Sequence, residues 1–302
     1  MFAELEALVA VAETGSMERA ANDLYVTPSA LTRRIQRLEL ELGLVLLDRQ
    51  FKPPKLTRAG AEVLEKTRNI LSSIESLKAP ASGVSAIGPF RLGVSHALAR
   101  PELSKTIVDL GKQFPLLQPN ICSDVSPQLL ERLHAGDLDM AVVLLPATAA
   151  LAHNFTAVTL SQEEFRLVQA RSGSRRVAAK RFDLRKCSWV LNPAGCLIRD
   201  EIRRRVEKSG APFKVAAELH NADLQLALIA GKVGVGMMQE SLLQRHPLRT
   251  QVSVVDQPGF SISATVACVR GRHLGSREQV ASELERLLIK HFKDDGKRSA
   301  NE

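Results

Sequence analysis

The chain has 302 residues, 45% of them hydrophobic, enough to fill sizeable cores in one to three domains. Aromatic residues make up only 4%, with one Trp and one Tyr, which excludes an aromatic stacking platform for single-stranded nucleic acid. The formal net charge of +8 favours an anionic partner without identifying one.

Helical spacing puts Phe2, Leu5, Leu8, Val9 and Ala12 on one face of a first helix. Gly15 ends it, and Ser16 caps a second helix holding Arg19, Ala20 and Leu24. Thr27-Pro28 predicts the start of a third, because Thr offers an N-cap oxygen and Pro suits the first helical position. Leu31, Ile35, Leu38 and Leu42 form its buried face, and Gly43 closes it. Three short helices with a tight turn after the second make a helix-turn-helix. Residues 48–56, with Pro53-Pro54 among basic residues, form a short two-stranded wing. A fourth helix is expected over residues 57–77, with Val63, Leu64, Ile70, Leu71, Ile74 and Leu77 in an apolar stripe. A helix of ~20 residues spans ~30 Å, too long for the small first domain to cover, so a second copy of the same helix is the expected partner. Residues 79–88, rich in small residues, read as a hinge.

From residue 90 the pattern changes to α/β. Strands are expected at 90–94, 119–125 and 140–145, with helices at 103–114 and 128–135 between them. A similar run follows, with strands at 165–170, 188–191, 213–218 and 234–238 and helices at 198–208 and 224–230. Such alternation predicts a mainly parallel sheet. The two runs look like two similar lobes, and a strand at 262–268 with a helix at 276–292 returns the chain to the first. Residues 293–302 form a polar tail expected to lack structure. The basic run 171–186 reads as a solvated loop and helix in preference to a contact with bent DNA or another anionic partner.

Charge sharpens the reading of the first domain. Arg33, Arg34, Arg37, Arg49, Lys52, Lys55 and Arg58 face only Glu39, Glu41 and Asp48 in the second half, so the third helix and wing are positive although the domain is neutral. With Leu31, Ile35 and Leu38 inward, Ser29, Thr32, Arg33 and Gln36 project from the opposite side. The first turn of a recognition helix enters the major groove, where Arg pairs with guanine and Gln with adenine. Thr27, at the mouth of the helix that Pro28 opens, suits phosphates, as do Arg34, Arg37, Arg49 and Arg58, with Lys52 and Lys55 adding charge on the wing. The rival is a solvated face on a protein-binding bundle; capping, face and wing together disfavour it.

The same stretch resembles the LysR family of bacterial transcription regulators. The matching residues are Val11-Ala12-Glu13-Thr14-Gly15-Ser16, Ala20-Ala21, Leu24, Val26-Thr27-Pro28-Ser29-Ala30-Leu31-Thr32-Arg33, Leu38-Glu39, Leu42-Gly43, Leu46, Arg49 and Leu56-Thr57-Arg58-Ala59-Gly60. Leu47 stands where the family usually has Phe. Looser matches are Leu133-His134-Ala135-Gly136-Asp137-Leu138-Asp139 and Ile229-Ala230-Gly231-Lys232-Val233-Gly234. The resemblance implies an α/β protein with a mainly α-helical winged helix-turn-helix, a long linker helix and a two-lobed sensor domain like a periplasmic binding protein. Residues 1–60 would bind DNA, 61–88 form the dimerisation helix and hinge, and 89–302 bind an effector, with one lobe at about 89–161 and 266–292 and the other at about 162–265. It implies sequence-specific binding to double-stranded DNA by a homodimer or homotetramer, control by a small molecule, and RNA polymerase as a candidate partner.

Such sensors bind ligands outside the carboxyl ends of strands. Ser95 and His96, Ser126, Asn192, Cys196 and Asn221 precede helices at those ends, where amides and hydroxyls suit a carboxylate or phosphate. They are the candidate effector contacts, although each alone could equally be a helix cap. Gly195-Cys196-Leu197-Ile198-Arg199-Asp200 loosely resembles the peroxide-sensing loop of the family's redox branch. A thiol at a helix start beside Arg199 is expected to ionise readily. A redox switch also needs a resolving thiol, and none follows before Cys268, so a small cleft-lining residue is preferred.

The rest excludes chemistry. Cys122, Cys187, Cys196 and Cys268 form no CxxC and no disulfide framework, which suits reduced thiols in a cytoplasmic protein. The histidines are scattered, so neither a metal nor a cofactor is expected. With no nucleophile elbow and no phosphate-binding glycine loop, an enzyme is not expected. Residues 1–11 do not resemble a secretory leader and Lys232 interrupts the most apolar run, so neither a secreted solute-binding protein nor a membrane span is expected.

Overall fold

The computed structural model describes residues 1–78, 88–101, 103–147, 156–171, 183–271 and 274–300. Helix α1 (Phe2–Thr14) buries Leu5, Ala7, Leu8 and Val11 and leaves Phe2 exposed, so its core face is turned from the expected one. It stops at Gly15, whose φ of 59° a side chain would disfavour. Helix α2 (Met17–Asp23) starts at Ser16, whose hydroxyl accepts from the Arg19 N–H. Helix α3 (Pro28–Leu42) starts at Thr27, whose Oγ1 accepts from the Ala30 N–H at 3.2 Å. Leu31, Ile35 and Leu38 are buried in the head, but Leu42 is not. Leu46 and Leu47 close the core there instead, their N–H groups donating to the Glu39 carboxylate at 2.9 and 3.2 Å. The wing is the antiparallel pair β1 (Leu47–Asp48) and β2 (Lys55–Leu56).

Helix α4 (Arg58–Lys78) leaves the wing with Gly60 so close that a Cβ would sit 2.1 Å from the Leu46 carbonyl oxygen. Its apolar stripe is not bare. Leu64 is buried in the core of the head, and Val63 and Leu71 pack against that core. Ile70 is exposed, and the side chain of Leu77 lies outside the described residues. The expectation that the head could not cover this helix is therefore corrected: α4 crosses α1 and shares its core. Most of the expected hinge, 79–87, and residues 172–182 of the basic run lie outside the described residues.

The C-terminal part begins with β3 (Gly88–Ser95), α5 (Leu103–Gln113), β4 (Leu117–Asp124), α6 (Ser126–His134) and β5 (Met140–Pro146). Strand β3 lies parallel to both β4 and β5. Next come β6 (Thr156–Ala170), β7 (Ser188–Leu191), α7 (Leu197–Lys208), β8 (Lys214–Glu218) and α8 (Ala222–Ala230). The chain continues through β9 (Gly236–Gln239), α9 (Glu240–Arg245), β10 (Val252–Val254), β11 (Ile262–Arg270) and α10 (Glu278–Ala300). Helix α10 thus runs on through most of the tail expected to lack structure, because extending an existing helix avoids the cost of nucleation.

The sheet is mixed, not mainly parallel. Its order is β10-β6-β11-β5-β3-β4 with β9 also on β6, and β11 runs antiparallel to β5 and β6, as β6 does to β9 and β10. The reason is topological: β6 carries the chain into the second lobe and β11 carries it back. Between them the register shifts at Val266/Ala267, whose partners are Ser161 and Thr159, which leaves Leu160 without a partner on β11. A bulge bends the strand pair, and this one lies where the two lobes are expected to part. Helix α10 buries Val280, Ala281, Leu284 and Leu288 and packs on α5, returning to the first lobe.

Head and sensor are tied by Arg68 of α4. Its guanidinium donates to the Ala135 carbonyl at 3.2 Å, pairs with Asp137, and lies 3.9 Å from Glu13 of α1. Gly136, at φ 74°, makes the turn on which the Arg68 stem rests. Among the described residues no helix is long and apolar enough to cross a membrane.

Candidate functional site

On α3, Ser29, Arg33, Gln36 and Arg37 are exposed, with Thr32 and Arg34 half-buried. The hydroxyls of Thr27 and Thr32 serve the helix itself: Thr27 caps it, and Thr32 donates to the Pro28 carbonyl at 2.9 Å. Among the described residues Arg33 and Arg34 have no ion pair, so their charge is available to a ligand. Arg37, Arg58 and Lys55 are engaged. Arg37 pairs with Glu41 at 3.3 Å and Glu4 at 3.7 Å, and Arg58 pairs with Glu62 at 3.3 Å. Lys55 lies over the Phe51 ring at 4.7 Å, while Lys52 and Pro28 are exposed. The Arg37–Glu41 and Arg58–Glu62 pairs are open to solvent and worth at most about 1 kcal/mol each, and the buried Glu4 holds Arg37 only at 3.7 Å, so a phosphate can compete for Arg37 and Arg58. Arg49 differs, because its partner Glu39, 2.8 Å away, is largely buried and holds the start of the wing. It is better placed to fix the wing than to leave for a phosphate.

In the sensor, the expected contacts fall into two adjoining spaces. Ser95, Ser126, Asn192 and Cys196 surround a hollow of only about 10 Å³ together with His96 and His220, room for a single water at most. Ser126 Oγ accepts from the Leu144 N–H at 2.9 Å and donates to Ser95 Oγ at 3.3 Å, so these buried hydroxyls are engaged with each other rather than facing open space. Asn192 donates to the Leu219 carbonyl at 3.4 Å. The larger space, about 590 Å³, is lined by His96 and Arg100 from one lobe and His220, Asn221, Arg245 and His246 from the other. That is within the usual range for a small-molecule site. Asn221 caps α8, accepting from the Leu224 N–H at 2.8 Å.

The two spaces share His96, Ala97 and His220. The imidazoles of His96 and His220, one from each lobe, meet with centroids 3.9 Å apart. Burial, and then the neighbouring His220, hold His96 below the usual imidazole value against the pull of Asp124. The lobes are also joined by Gln239, which donates to the Ala97 carbonyl at 3.2 Å, and by Arg100, which reaches Ser241 at 3.4 Å. Chain position reaches His220, beside Asn221 at the same strand end. It misses Arg245 and His246, because the short helix α9 carries no periodic signal.

Cys196 corrects an expectation. Burial pushes its thiol up, and the neighbouring backbone N–H groups of α7 and Arg199 only partly oppose this. Arg199 is held by the Asn192 carbonyl at 2.9 Å and by Glu218 at 2.5 Å. The four cysteines are free thiols, and no cluster that could hold a metal occurs among the described residues.

Comparison with known proteins covers nearly the whole chain. Residues 2–61 match the family described as bacterial regulatory helix-turn-helix protein, lysR family, and residues 85–292 match the LysR substrate binding domain. The hydrogen peroxide-inducible genes activator of Haemophilus influenzae is 32% identical over 296 residues, covering 94% of this chain and 97% of that protein. A full-length OxyR variant from Pseudomonas aeruginosa has the same fold, with a TM-score of 0.73 at 20% identity over 97% of this chain and 94% of that one. Full-length LysG of Corynebacterium glutamicum with bound effector Arg gives a TM-score of 0.70 at 19% identity, covering 97% and 98%.

Proposed function

The chain belongs to the LysR family of DNA-binding transcription regulators, and from that premise we propose that a small anionic effector bound between the two lobes switches how paired heads engage DNA. In this reading Ser29, Thr32, Arg33 and Gln36 meet base edges, Arg34, Arg37 and Arg58 meet phosphates, and the active form is a homodimer or homotetramer that meets RNA polymerase at the promoter. The sensor is residues 89–302, with its lobes parting near 161 and 266. The observation that carries the reading is the cavity of about 590 Å³ walled by both lobes. A ligand there touches both walls, so its affinity depends on the angle between the lobes. That dependence is what a switch requires, since a ligand that binds two states equally shifts nothing. The LysG relative carries an effector in its structure, which supports a small-molecule ligand for this chain too.

A thermal-shift screen of small carboxylates, followed by footprinting on the regulator's own promoter, tests it. A ligand that raises the melting temperature and alters the footprint is the expected result. Asn221→Ala combined with Arg245→Ala, two positions that line the cavity, should abolish that response; a normal response in the double variant overturns the cleft reading.

The peroxide-linked relatives favour a second reading, in which Cys196 is oxidised. Its surroundings oppose it. Its own thiol is pushed up, and burial also raises Cys187 to about 11 and Cys268 to about 12. Thiols that remain protonated at neutral pH react slowly with peroxide. A promoter response to peroxide that Cys196→Ser removes would reverse this preference.

A further inference from the structure

The second lobe carries most of the molecule's net charge. Residues 162–265 hold seventeen Lys and Arg against ten Asp and Glu, which gives seven of the chain's eight net positive charges. The basic run that starts at Arg171 supplies part of this, and the fold gathers more cations around its two ends. Strands β8, β7, β9 and β6 lie side by side. Ser188 of β7 pairs with Lys214 of β8, Trp189 bridges to Val235 just before β9, and Gly236 of β9 pairs with Val168 of β6. Each strand brings a cation to the same end: Lys214 opens β8, Lys186 precedes β7, Lys232 precedes β9 and Arg171 follows β6. Neighbouring strands are ~4.8 Å apart, so the row is roughly 14 Å long. Arg185 stands beside Lys186, and Lys208 ends α7 just before the turn into β8. The cleft is at the other end of these strands, where Asn192 follows β7 and His220 follows β8.

Arg171, Arg185, Lys186, Lys208, Lys214 and Lys232 are all exposed. Lys186 pairs with Asp183 at 3.7 Å; among the described residues the other five have no ion pair. Asp183 and Glu207 are the only described acidic residues at this end, and Glu207 is held by Arg203 at 2.8 Å. Glu218, Asp223 and Glu240 sit towards the cleft, at the end of β8 and the starts of α8 and α9. Lys208 and Lys232 also complement the helix ends they stand at, a reason that does not extend to Arg171, Arg185 or Lys214. Protein interfaces are built around buried aromatic anchors, and this end presents none. Trp189 is fully buried and Phe213 stacks on it with centroids 6.5 Å apart, which leaves Val215 and Val233 as the exposed large apolar residues there. A row of cations without an apolar or stacking anchor suits phosphates, which are held by charge without regard to sequence.

We propose that this end of the second lobe is a second DNA contact, which binds the phosphate backbone of the duplex outside the half-sites read by the heads. The proposal rests on the family's DNA binding and is independent of the effector reading of the cleft. At ~3.4 Å per base pair, the row matches about four base pairs of duplex. The head meets the sensor at the first lobe, through Arg68 and the turn before β5. The basic end lies across the cleft from that contact. It therefore reaches duplex that continues beyond or between the half-sites and curves towards the sensors.

The test is operator binding by the full chain across a range of salt, on a long fragment and on a duplex trimmed to the half-sites. Arg171→Gln, Arg185→Gln, Lys214→Gln and Lys232→Gln are combined; all four residues are exposed, so the melting temperature should not change. On the long fragment the combined variant should bind at least about tenfold more weakly at low salt, with a salt slope smaller by about two to four. Hydroxyl-radical footprinting should lose protection outside the half-sites. On the trimmed duplex the variant should bind as the unaltered chain does. Swapping the cations instead (Arg171→Lys, Arg185→Lys, Lys214→Arg and Lys232→Arg) should keep the long-fragment affinity, because the charge is retained. If the Gln variant melts lower, Lys214→Gln with Lys232→Gln alone decides by the same readouts, with about half the change in slope. Unchanged affinity and slope on the long fragment, or an equal loss on the trimmed duplex, overturns the proposal. A variant that binds DNA normally but loses transcription with purified RNA polymerase assigns the surface to a protein and also overturns it. None of these outcomes bears on the cavity between the lobes.

Discussion

At the scale of single residues, the functional assignments divide by what each side chain already does. Arg33 and Gln36 are exposed on the outer face of α3, and Arg33 has no ion pair among the described residues. A bidentate base contact is worth roughly 1–3 kcal/mol of discrimination. Replacing Arg33 or Gln36 with Ala should thus relax sequence preference, read by binding to a library of operator variants. Arg58→Ala should weaken binding to operator and random DNA alike and lower the salt slope by about one. Equal losses on both DNAs for Arg33→Ala would move that residue to the phosphate group. The cleft adds a pH prediction. His96 sits below its usual value in the folded chain, so the unfolded chain binds the extra proton. Stability without ligand should therefore fall as pH drops from above the unfolded value of about 6.5 towards the folded one, and His96→Gln should flatten that part of a melting-temperature profile.

At the scale of elements, α4 joins two roles that its apolar stripe does not separate. Leu64 belongs to the core of the head, so Leu64→Asp buries a charge there and should unfold that domain whether or not two copies pair. Ile70 is exposed on the same helix and tests the pairing cleanly. Ile70→Asp should leave the melting temperature of the head almost unchanged while shifting sedimentation towards monomer and weakening operator affinity, because two half-sites are then no longer held at once. A stable dimer in that variant would place the self-association elsewhere. The strands β6 and β11 are the other shared elements. Each serves both lobes, and the bulge at Val266/Ala267 gives the pair its bend.

At the scale of the whole molecule, Arg68 connects three parts that function has to couple: α1, the linker helix and the turn before β5. Its side chain is only 11% exposed, beside Asp137 and Glu13. Removing Arg68 takes a donor from the Ala135 carbonyl and from Asp137, whose side chain is 37% exposed and can turn to water, so the cost is about 1 kcal/mol. Arg68→Ala should lower the melting temperature and make the region between head and sensor more sensitive to protease. Unchanged protection would mean that the contact does not hold the two parts together. A second inter-part contact is close by: Asp139 accepts from Arg91 at 2.8 Å and from Arg277 at 3.3 Å, and the 3₁₀ turn carrying Arg277 packs against α4.

The helix-turn-helix was legible in the chain because its signals are local. Thr27-Pro28 begins α3 and Gly43 ends it through bonds made within a few residues, and the spacing of Leu31, Ile35 and Leu38 identifies the buried face without knowledge of any partner. The strand ends bearing Ser95, Asn192 and Asn221 were legible for the same reason. What lies across long separations was not. That Leu42 is exposed depends on Leu46 and Leu47 filling the core beneath it. The coverage of Leu64 depends on where α1 lies. The mixed sheet depends on β6 and β11 running in opposite directions between the lobes. The contact of His96 with His220 joins residues from two lobes that share no local pattern. Helix caps and periodic faces are decided by backbone geometry over a few residues, so the amino-acid order determines them directly. The shape of the cleft, the lowered proton affinity of His96 and the raised one of Cys196 are set by neighbours that only the folded chain brings within a few ångströms.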